Sequence, residues 1–233
     1  MANILLTGAS RGIGAAARDA LLAAGHNVIG HSTAGGNNTI ASDFARRRAA
    51  DALWDAALAR AGGRIDVLIN NAGVFEDADI TDADQFATAW ARSHAINLQA
   101  AADLCRHAVL HFQGAGGGRI VNVASRAGHR GDSPSHWHYA AAKAGMIAMT
   151  KSIARGYGQQ NIVAYVVAPG FTLTDMAEAH MATPAGAQVI ADTPLGRVAT
   201  AAEVAETIRW LATDAPASLT GATLDINGAS YVR

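Results

Sequence analysis

Cysteine, charge and long apolar stretches are all scarce in this chain. Cys105 is the only cysteine among 233 residues, so no disulfide can form within the chain, and the composition suits a reducing cytoplasm. The sequence has no run of about 18 apolar residues, which argues against a membrane-spanning helix. Its first residues lack the basic start and the apolar stretch of a secretory signal. We therefore expect a cytoplasmic protein.

The charges are few and balanced. Eighteen basic and nineteen acidic side chains give a formal net charge of −1, which argues against a nucleic acid or a membrane surface as partner. Half of the residues are hydrophobic, enough for a sizeable core. α/β folds commonly use up to about 250 residues in one domain, and no linker is apparent. We expect one domain over residues 1–233.

Short apolar runs alternate with helical stretches along the whole chain. The apolar runs predict strands at residues 3–7, 27–31, 39–42, 65–70, 119–124, 161–167 and 222–226. The helical stretches fall at residues 13–24, 45–61, 84–112, 136–158 and 201–213. Apolar strands separated by helices predict an α/β fold with a parallel sheet and helices on both faces, the doubly wound Rossmann arrangement.

The link between the second and third predicted strands is unusually short. Residues 32–38 are polar and glycine-rich, whereas parallel neighbours normally need about a dozen connecting residues. We expect an extended loop there and one helix missing from that face of the sheet.

Three glycines follow the first predicted strand. Gly8, Gly12 and Gly14 have the spacing Gly-x-x-x-Gly-x-Gly, which permits a tight turn and lets the backbone approach a pyrophosphate at the start of the next helix. A tight turn without a ligand is the alternative. The position of the loop between a strand and a helix favours cofactor binding over a turn without a ligand. The loop residues assigned to the cofactor are Gly8, Ser10, Arg11, Gly12, Ile13 and Gly14.

The end of the second strand bears on the choice of cofactor. An acid there would accept the ribose hydroxyls of NAD and repel a 2′-phosphate, but the strand ends in His31 and Ser32. Arg11 in the glycine loop could pair with that phosphate; otherwise it is a solvated charge. These features favour NADP(H), with NAD(H) as the other possibility, and place His31 and Ser32 at the cofactor.

A phenol and an ammonium are spaced for one helical face. Tyr139 and Lys143 stand at i and i+4, where a cation would lower the high pKa of a phenol. Such a pair alone is common on surfaces. Here it follows Ser125 at the end of the fifth strand, and Pro169 and Gly170 follow the sixth. Ligands bind at that carboxyl edge of a parallel sheet, so we expect these residues to meet in one site.

With residues 70–73 (Asn-Asn-Ala-Gly) and Asn97, these motifs resemble the short-chain dehydrogenase/reductase family over nearly the whole chain. The 3-oxoacyl-(acyl-carrier-protein) reductases look closest. The resemblance implies hydride transfer between a nicotinamide cofactor and a small carbonyl or alcohol substrate. Tyr139 would be the general acid/base and Ser125 would hydrogen-bond the reacting oxygen. Lys143 would lower the Tyr139 pKa and bind the ribose, and Asn97 would hold a water of the proton relay.

The same resemblance implies further cofactor contacts and an assembly. Asp43 and Phe44 would contact the adenine, and Asn71 and Gly73 would line the adenosine side. The nicotinamide end would be contacted by Pro169, Gly170, Thr172 and Thr174. Relatives of this kind pair through the elements that correspond to residues 84–112 and to the last strand. We therefore expect a homotetramer or a homodimer.

The sequence also departs from the family pattern. Ser125 and Tyr139 are one residue further apart than in the relatives that look closest, and His136 and His138 lie in the segment between them. Tyr165 stands where an asparagine is usual. Because of these departures, the family pattern does not determine which residues form the wall of the substrate pocket.

Several alternatives remain at this stage. An epimerase or a dehydratase could use the same fold and cofactor, and a non-catalytic NADP-sensing protein or a structural partner subunit belongs to a different class. His107 and His111 could bind zinc, although no third ligand is nearby. An acyl carrier would need a basic patch, for which Arg126 and Arg130 are candidates. The segment 175–193 is expected to border a moderately apolar substrate.

Overall fold

Seven parallel strands form the central sheet of the computed structural model, which describes residues 1–36, 38–174 and 183–233. The strands of this sheet are β1 (Asn3–Leu6), β2 (Asn27–Ser32), β3 (Thr39–Ala41), β4 (Val67–Asn70), β5 (Gly118–Val123), β6 (Ile162–Pro169) and β9 (Thr223–Ile226). They are arranged in the order β3-β2-β1-β4-β5-β6-β9. β7 (Thr172–Leu173) and β8 (Ala199–Thr200) pair separately. The strand order reverses between β1 and β4, which makes a crevice at the carboxyl edge.

Helices connect the strands. They are α1 (Gly12–Ala23), α2 (Ala49–Arg60), α3 (Ala83–His94), α4 (Ala100–Ala115), α5 (Ala127–Arg130), α6 (Trp137–Tyr157), α7 (Pro184–Ala191) and α8 (Ala201–Thr213). A π-helical turn, Ala95–Gln99, joins α3 to α4. No helix in the part of the chain that the structure describes is both long and apolar enough to cross a membrane.

Alternate residues of each central strand enter different cores. Leu5 packs into a cluster that includes α2 and α4 on one face of the sheet. Ile4 and Leu6 pack on the other face with Leu21 of α1 and Ile208 of α8. This follows from the two-residue repeat of a strand, whose successive side chains point to opposite faces. The predicted doubly wound architecture is confirmed.

The short link between β2 and β3 has a geometric explanation. β3 is only three residues long, and Thr39 pairs with Gly30, close to the carboxyl end of β2. The chain therefore does not have to run back to the amino end of β2 before β3 pairs with it. The residues of this link that the structure describes form no helix, in agreement with the expectation from its length.

Two predicted helices differ from the observed ones. The helix predicted at 45–61 begins only at Ala49, because Arg48 has a left-handed backbone with φ of 62°. The helix predicted at 84–112 consists of α3 and α4 with the π-helical turn between them. It begins at Ala83 because the Asp82 carboxylate accepts hydrogen bonds from the first backbone N–H groups of α3.

Buried amides connect the central strands to α6. The Asn70 amide donates to Asn122 Oδ1 at 2.8 Å, and the Asn122 amide donates to Thr150 Oγ1 at 2.8 Å. Cys105 lies against both asparagines, and burial raises its thiol pKa to about 12. This network connects β4, β5 and α6, the helix that carries Tyr139.

We expect the protein to assemble with copies of itself. Trp90 of α3, Leu110 of α4 and Val232 near the chain end keep 39%, 55% and 75% of their surfaces exposed, and burying such side chains between copies is favourable. Light scattering should give two or four times the chain mass of 23.9 kDa. A monomer mass at micromolar concentration would contradict this expectation.

Candidate active site

Two adjoining cavities open at the carboxyl edge of the sheet. The glycine-loop cavity, of about 550 Å³, lies beside Gly8, Gly12 and Gly14. The tyrosine cavity, of about 600 Å³, lies beside Ser125, Tyr139 and Lys143. Both are lined by Arg11, Ile13, Asn71, Gly73, Val74 and Thr174. They therefore form one continuous site across the crevice where the strand order reverses.

The structure brings the predicted cofactor residues together on these walls. The glycine-loop cavity is lined by Gly8, Ser10, Arg11, Gly12, Ile13, Gly14, His31, Ser32, Asp43, Phe44, Asn71 and Gly73. The tyrosine cavity is lined by Pro169, Gly170, Thr172 and Thr174. Of the predicted site residues, only Asn97 lines neither cavity.

The glycine loop is too tightly packed for side chains at two positions. A Cβ on Gly14 would lie 1.9 Å from the Gly8 carbonyl oxygen. Gly8 itself has a φ of 68°, and a Cβ there would lie 2.9 Å from the Cα of Ala72. No side chain caps the first turn of α1, which begins at Gly12. The amides of this turn can therefore bind a phosphate, and the loop fits a dinucleotide.

His31 connects the glycine loop to the end of β3. Its Nδ1 accepts from the Gly8 N–H at 3.2 Å, and its Nε2 donates to the Ser42 carbonyl at 2.9 Å. The ring is 2% exposed and stacks on Phe44 with 4.4 Å between ring centres. Burial lowers the pKa of His31, against the opposing effect of the Ser42 hydrogen bond. His31 thus braces the cavity wall as a neutral ring, a role that its position at a strand end did not reveal.

Ser125 and Tyr139 meet in the tyrosine cavity. Both side chains line this cavity, and Ser125 lies close enough to Tyr139 to lower the pKa of the phenol. Ser125 follows β5 and Tyr139 lies in the first turn of α6, so the strand end and the helix start bring them together. Ser125 Oγ accepts from the Ala127 N–H at 3.1 Å. This bond helps to orient the serine side chain.

Lys143 is held close to this pair by a backbone carbonyl. Its Nζ donates to the Val123 oxygen at 2.8 Å and lies 5.7 Å from the centre of the Tyr139 ring. The side chain is 3% exposed, and burial lowers the lysine pKa to about 8.

The Tyr139 pKa is raised, whereas the sequence predicted that it would be lowered. Burial raises this pKa to about 12, although the Ser125 side chain opposes the rise. The i, i+4 spacing predicted the reverse because it takes no account of the desolvation of both groups. At neutral pH the tyrosine therefore carries its proton.

Asn97 lies behind the cavity wall, within the π-helical turn. Its Oδ1 accepts from the Val74 N–H at 2.9 Å, and its Nδ2 donates to the Val74 carbonyl at 3.0 Å. A Cβ on Gly73 would lie 2.9 Å from Asn97 Oδ1 and 3.6 Å from Lys143 Nζ. Asn97 therefore positions the 71–75 loop and lies near the lysine across Gly73; its role in a water relay stays a prediction.

Aromatic residues that the sequence did not single out line the tyrosine cavity. Phe75 and Phe171 form part of its wall. Phe75 packs edge-on against Tyr139, with 4.9 Å between ring centres, and stacks on His136 at 3.7 Å. His138 Nε2 donates to the Glu76 carbonyl at 3.0 Å. The two histidines thus support the wall from behind, since neither lines the cavity.

The histidine pair suggested for zinc and the unusual Tyr165 both have partners within the protein. His107 binds Asp51 at 2.6 Å and His111 accepts from the Ile65 N–H at 3.2 Å. Among the residues described, no three side chains cluster as metal ligands. The Tyr165 hydroxyl donates to the Pro216 carbonyl, and the tyrosine is fully buried. Residues 175–182 of the predicted substrate border lie outside the described residues.

Sheet order, glycine loop and cavity position define a Rossmann-fold nucleotide-binding protein. The profile of a family described as enoyl-(acyl carrier protein) reductase matches residues 8–229. The chain is 33% identical over 239 residues to the 3-oxoacyl-[acyl-carrier-protein] reductase FabG of Escherichia coli K12, covering 98% of this chain and 96% of that one. It belongs to the short-chain dehydrogenase/reductase family of oxidoreductases, as its motifs predicted.

Two further relatives extend the comparison. A cis-4-hydroxycyclohexanecarboxylate dehydrogenase of Sinomonas cyclohexanicum is 36% identical, covering 96% of this chain and 94% of that one. A crystal structure from Beutenbergia cavernae, described as an NAD(P)-dependent gluconate 5-dehydrogenase with bound NADP at low occupancy, superposes with a TM-score of 0.87 at 28% identity. That match covers 98% of this chain and 96% of the other.

His31 should make stability depend on pH. The folded protein lowers its pKa from 6.5, so below that value the unfolded chain binds more protons and the stability supplied by neutral His31 is lost. His31→Asn lacks the titrating ring. We expect wild type to melt higher at about pH 7.5, and this advantage to narrow towards about pH 5.5. A constant difference in melting temperature over that range would be the contrary result.

Proposed function

We propose that this protein is an NADP(H)-dependent oxidoreductase that reduces a ketone to an alcohol, or catalyses the reverse, with Tyr139 as the acid/base. The observation that carries the proposal is that Ser125, Tyr139 and buried Lys143 line one cavity, with Lys143 Nζ 5.7 Å from the centre of the Tyr139 ring. This group lies in a cavity continuous with the glycine loop. Family membership supports the same reaction class.

Each residue of the group has a separate task. The bound nicotinamide would supply or accept the hydride. Tyr139, whose raised pKa keeps the phenol protonated at neutral pH, donates its proton to the carbonyl oxygen as reduction proceeds. Ser125 donates a hydrogen bond to that oxygen as negative charge develops. Lys143, with a pKa of about 8, can return a proton to Tyr139 and bind the ribose.

The walls of the glycine-loop cavity would hold the rest of the cofactor. The loop of Gly8, Gly12 and Gly14 suits the pyrophosphate, and Phe44 beside Asp43 suits the adenine. Asn71 and Gly73 would line the adenosine side. Pro169, Gly170, Thr172 and Thr174, on the tyrosine cavity, would hold the nicotinamide end.

NADP(H) is proposed over NAD(H) because β2 ends without an acid and Arg11 lines the glycine-loop cavity. Asp43 is the one acid on that wall among the described residues. Its carboxylate accepts from the Ala45 N–H at 3.0 Å and lies 3.8 Å from Arg46. Part of its charge is therefore compensated within the protein. The relative structure with bound NADP supports this choice.

The relatives suggest two classes of substrate. One acts, by its name, on 3-oxoacyl groups carried by a protein, and others act on hydroxylated carboxylates. Of the two candidates for a basic surface patch that would receive an acyl carrier, Arg126 is buried at 8% exposure, which leaves the exposed Arg130 alone. This favours a small hydroxy or oxo compound.

Cofactor consumption on a panel of ketones would also distinguish this function from an epimerase, a dehydratase or an NADP-sensing protein.

Arg11→Ala should weaken the binding of NADPH and leave NADH nearly unchanged. Losing one charge-assisted contact to the 2′-phosphate costs about 1.5–3 kcal/mol, or roughly 10- to 150-fold in affinity. Fluorescence titration measures both dissociation constants, and Arg60→Ala, at the end of α2, is a matched control. Equal affinity of wild type for both cofactors, or tighter NADH, would overturn the assignment.

Tyr139→Phe should retain the fold and cofactor affinity while turnover falls by roughly 10²–10⁴-fold or more, because only the proton donor is removed. Ser125→Ala should likewise lose rate but bind NADPH. Lys143→Ala should lose both. Steady-state kinetics and melting temperatures separate these effects, with Tyr157→Phe on the same helix as control.

The mechanism is wrong if the Tyr139→Phe protein binds NADPH normally and reduces its ketone at nearly the wild-type rate. A merely structural tyrosine would instead lower the melting temperature of the variant.

A further inference from the structure

Arg126 occupies a position that the proposed chemistry leaves without a task. It follows Ser125 directly, and its backbone N–H donates to the Pro169 carbonyl at 2.9 Å. The side chain lines the tyrosine cavity together with Gly170 and Phe171. Because it is only 8% exposed, its charge lies inside the cavity wall and not on the protein surface.

Among the described residues, this guanidinium has few partners. Nη1 bonds to the Ser230 hydroxyl, and the guanidinium carbon lies 5.4 Å from the centre of the Phe171 ring. No carboxylate oxygen of the described residues lies within 4.0 Å of its nitrogens, whereas Arg92, Arg197 and Arg209 each have such a partner.

More distant charges do not replace a counter-ion. Burial has the largest effect on Arg126 and lowers its pKa; Arg130 acts in the same direction, and Asp132 and Asp192 oppose it. Burying a charge is strongly unfavourable unless a partner of opposite sign accompanies it. The site therefore contains a cation that an anionic ligand would stabilise.

The remaining charges of the cavity also favour an anion. Lys143 and Arg11 are cationic members of its lining, and Glu76 and Asp132 are the acids. Glu76 is compensated by Arg92 at 3.1 Å. Asp132 is exposed in the loop that precedes α6, where it accepts from the Ser133 N–H. Among the described lining residues, Arg126 and Lys143 are thus the buried cations without an ion-pair partner, and of the two only Lys143 has a task in the proposed reaction.

We propose that Arg126 binds a carboxylate of the substrate, so that the substrates are small oxo acids and the corresponding hydroxy acids. This inference rests on the proposed function, which places the reacting carbonyl at Ser125 and Tyr139. A guanidinium presents paired donors that match the two oxygens of a carboxylate. Phe75 and Phe171 supply apolar wall for the carbon skeleton between the two ends.

The cavity limits the size of such a molecule. Ser125 and Arg126 are consecutive residues and both line the tyrosine cavity, so the proposed binding sites for the carbonyl and the carboxylate belong to the same wall. A cavity of about 600 Å³ has room for a compact acid. A thioester of an acyl carrier has no carboxylate at that end and would leave Arg126 uncompensated.

The test compares acids with their methyl esters. The kcat/KM for NADPH-dependent reduction is measured on 4-oxopentanoate, 5-oxohexanoate and 4-oxocyclohexanecarboxylate, each against its ester. We expect wild type to prefer the acids by roughly 10- to 100-fold. In Arg126→Met this preference should fall towards unity through a higher KM for the acids, while the esters change little. Arg126→Lys, which keeps a point charge, should recover part of it.

Arg130→Met is the matched control, because Arg130 is an exposed arginine at the end of α5, the short helix that follows Arg126, and it does not line the cavity. It should keep the wild-type preference. Equal use of acids and esters by wild type, or an equal loss of both in Arg126→Met, would overturn the inference and leave the proposed function standing.

A second readout separates the two proposals. Should wild type reduce no ketone with either cofactor, the proposed function fails, and calorimetric binding of 4-oxopentanoate to the NADPH-saturated protein still decides the inference. Binding that disappears in Arg126→Met and persists in Arg130→Met supports it. Absence of binding to wild type, or binding unaffected by Arg126→Met, overturns it. If Arg126→Met does not fold, Arg126→Gln takes its place in both measurements.

Discussion

The hydrogen bonds between Thr7 and Asn71 hold the site together at the point where the strand order reverses. Thr7 Oγ1 accepts from the backbone N–H groups of Asn71 at 2.9 Å and of Ala72 at 3.0 Å. The Asn71 amide donates back to the carbonyls of Thr7 at 3.0 Å and Gly8 at 3.2 Å. Loss of one partner would leave buried polar groups unsatisfied. This junction fixes the glycine loop against the loop after β4, and both cavities depend on that arrangement.

Burial then determines the chemistry of the groups around the junction. Tyr139 and Lys143 shift in opposite directions, the phenol to a pKa of about 12 and the ammonium to about 8, because desolvation favours the neutral form of each. The Val123 carbonyl offers the ammonium a dipole but no charge. A site built this way contains a neutral proton donor and poorly compensated cations, so it gains most from a ligand in which negative charge is present or develops.

Local signals in the sequence were enough for the strands and for the motifs at their ends. The apolar runs located β1, β4 and β5 to within two residues, since buried parallel strands need apolar side chains on both faces. The π-helical turn of Asn97 has no comparable local signal. The bracing role of His31 depends on contacts with Gly8 and Ser42, which are distant in sequence. The burial of Arg126 likewise involves Ser230 near the chain end, so a single-sequence pattern could only treat this residue as a surface charge.

The end of β5 carries both a residue that we propose for the reaction and a residue that we propose for substrate specificity. Ser125 contacts Tyr139, and the next residue, Arg126, is anchored to β6 through the Pro169 carbonyl. A change in the path of this turn would therefore move together the two groups that we propose bind the carbonyl and the carboxylate of the substrate. The loop after β4 completes the wall, because Phe75 contacts Tyr139 while it stacks on His136. The segment between Ser125 and Tyr139 therefore helps to support this wall through His136.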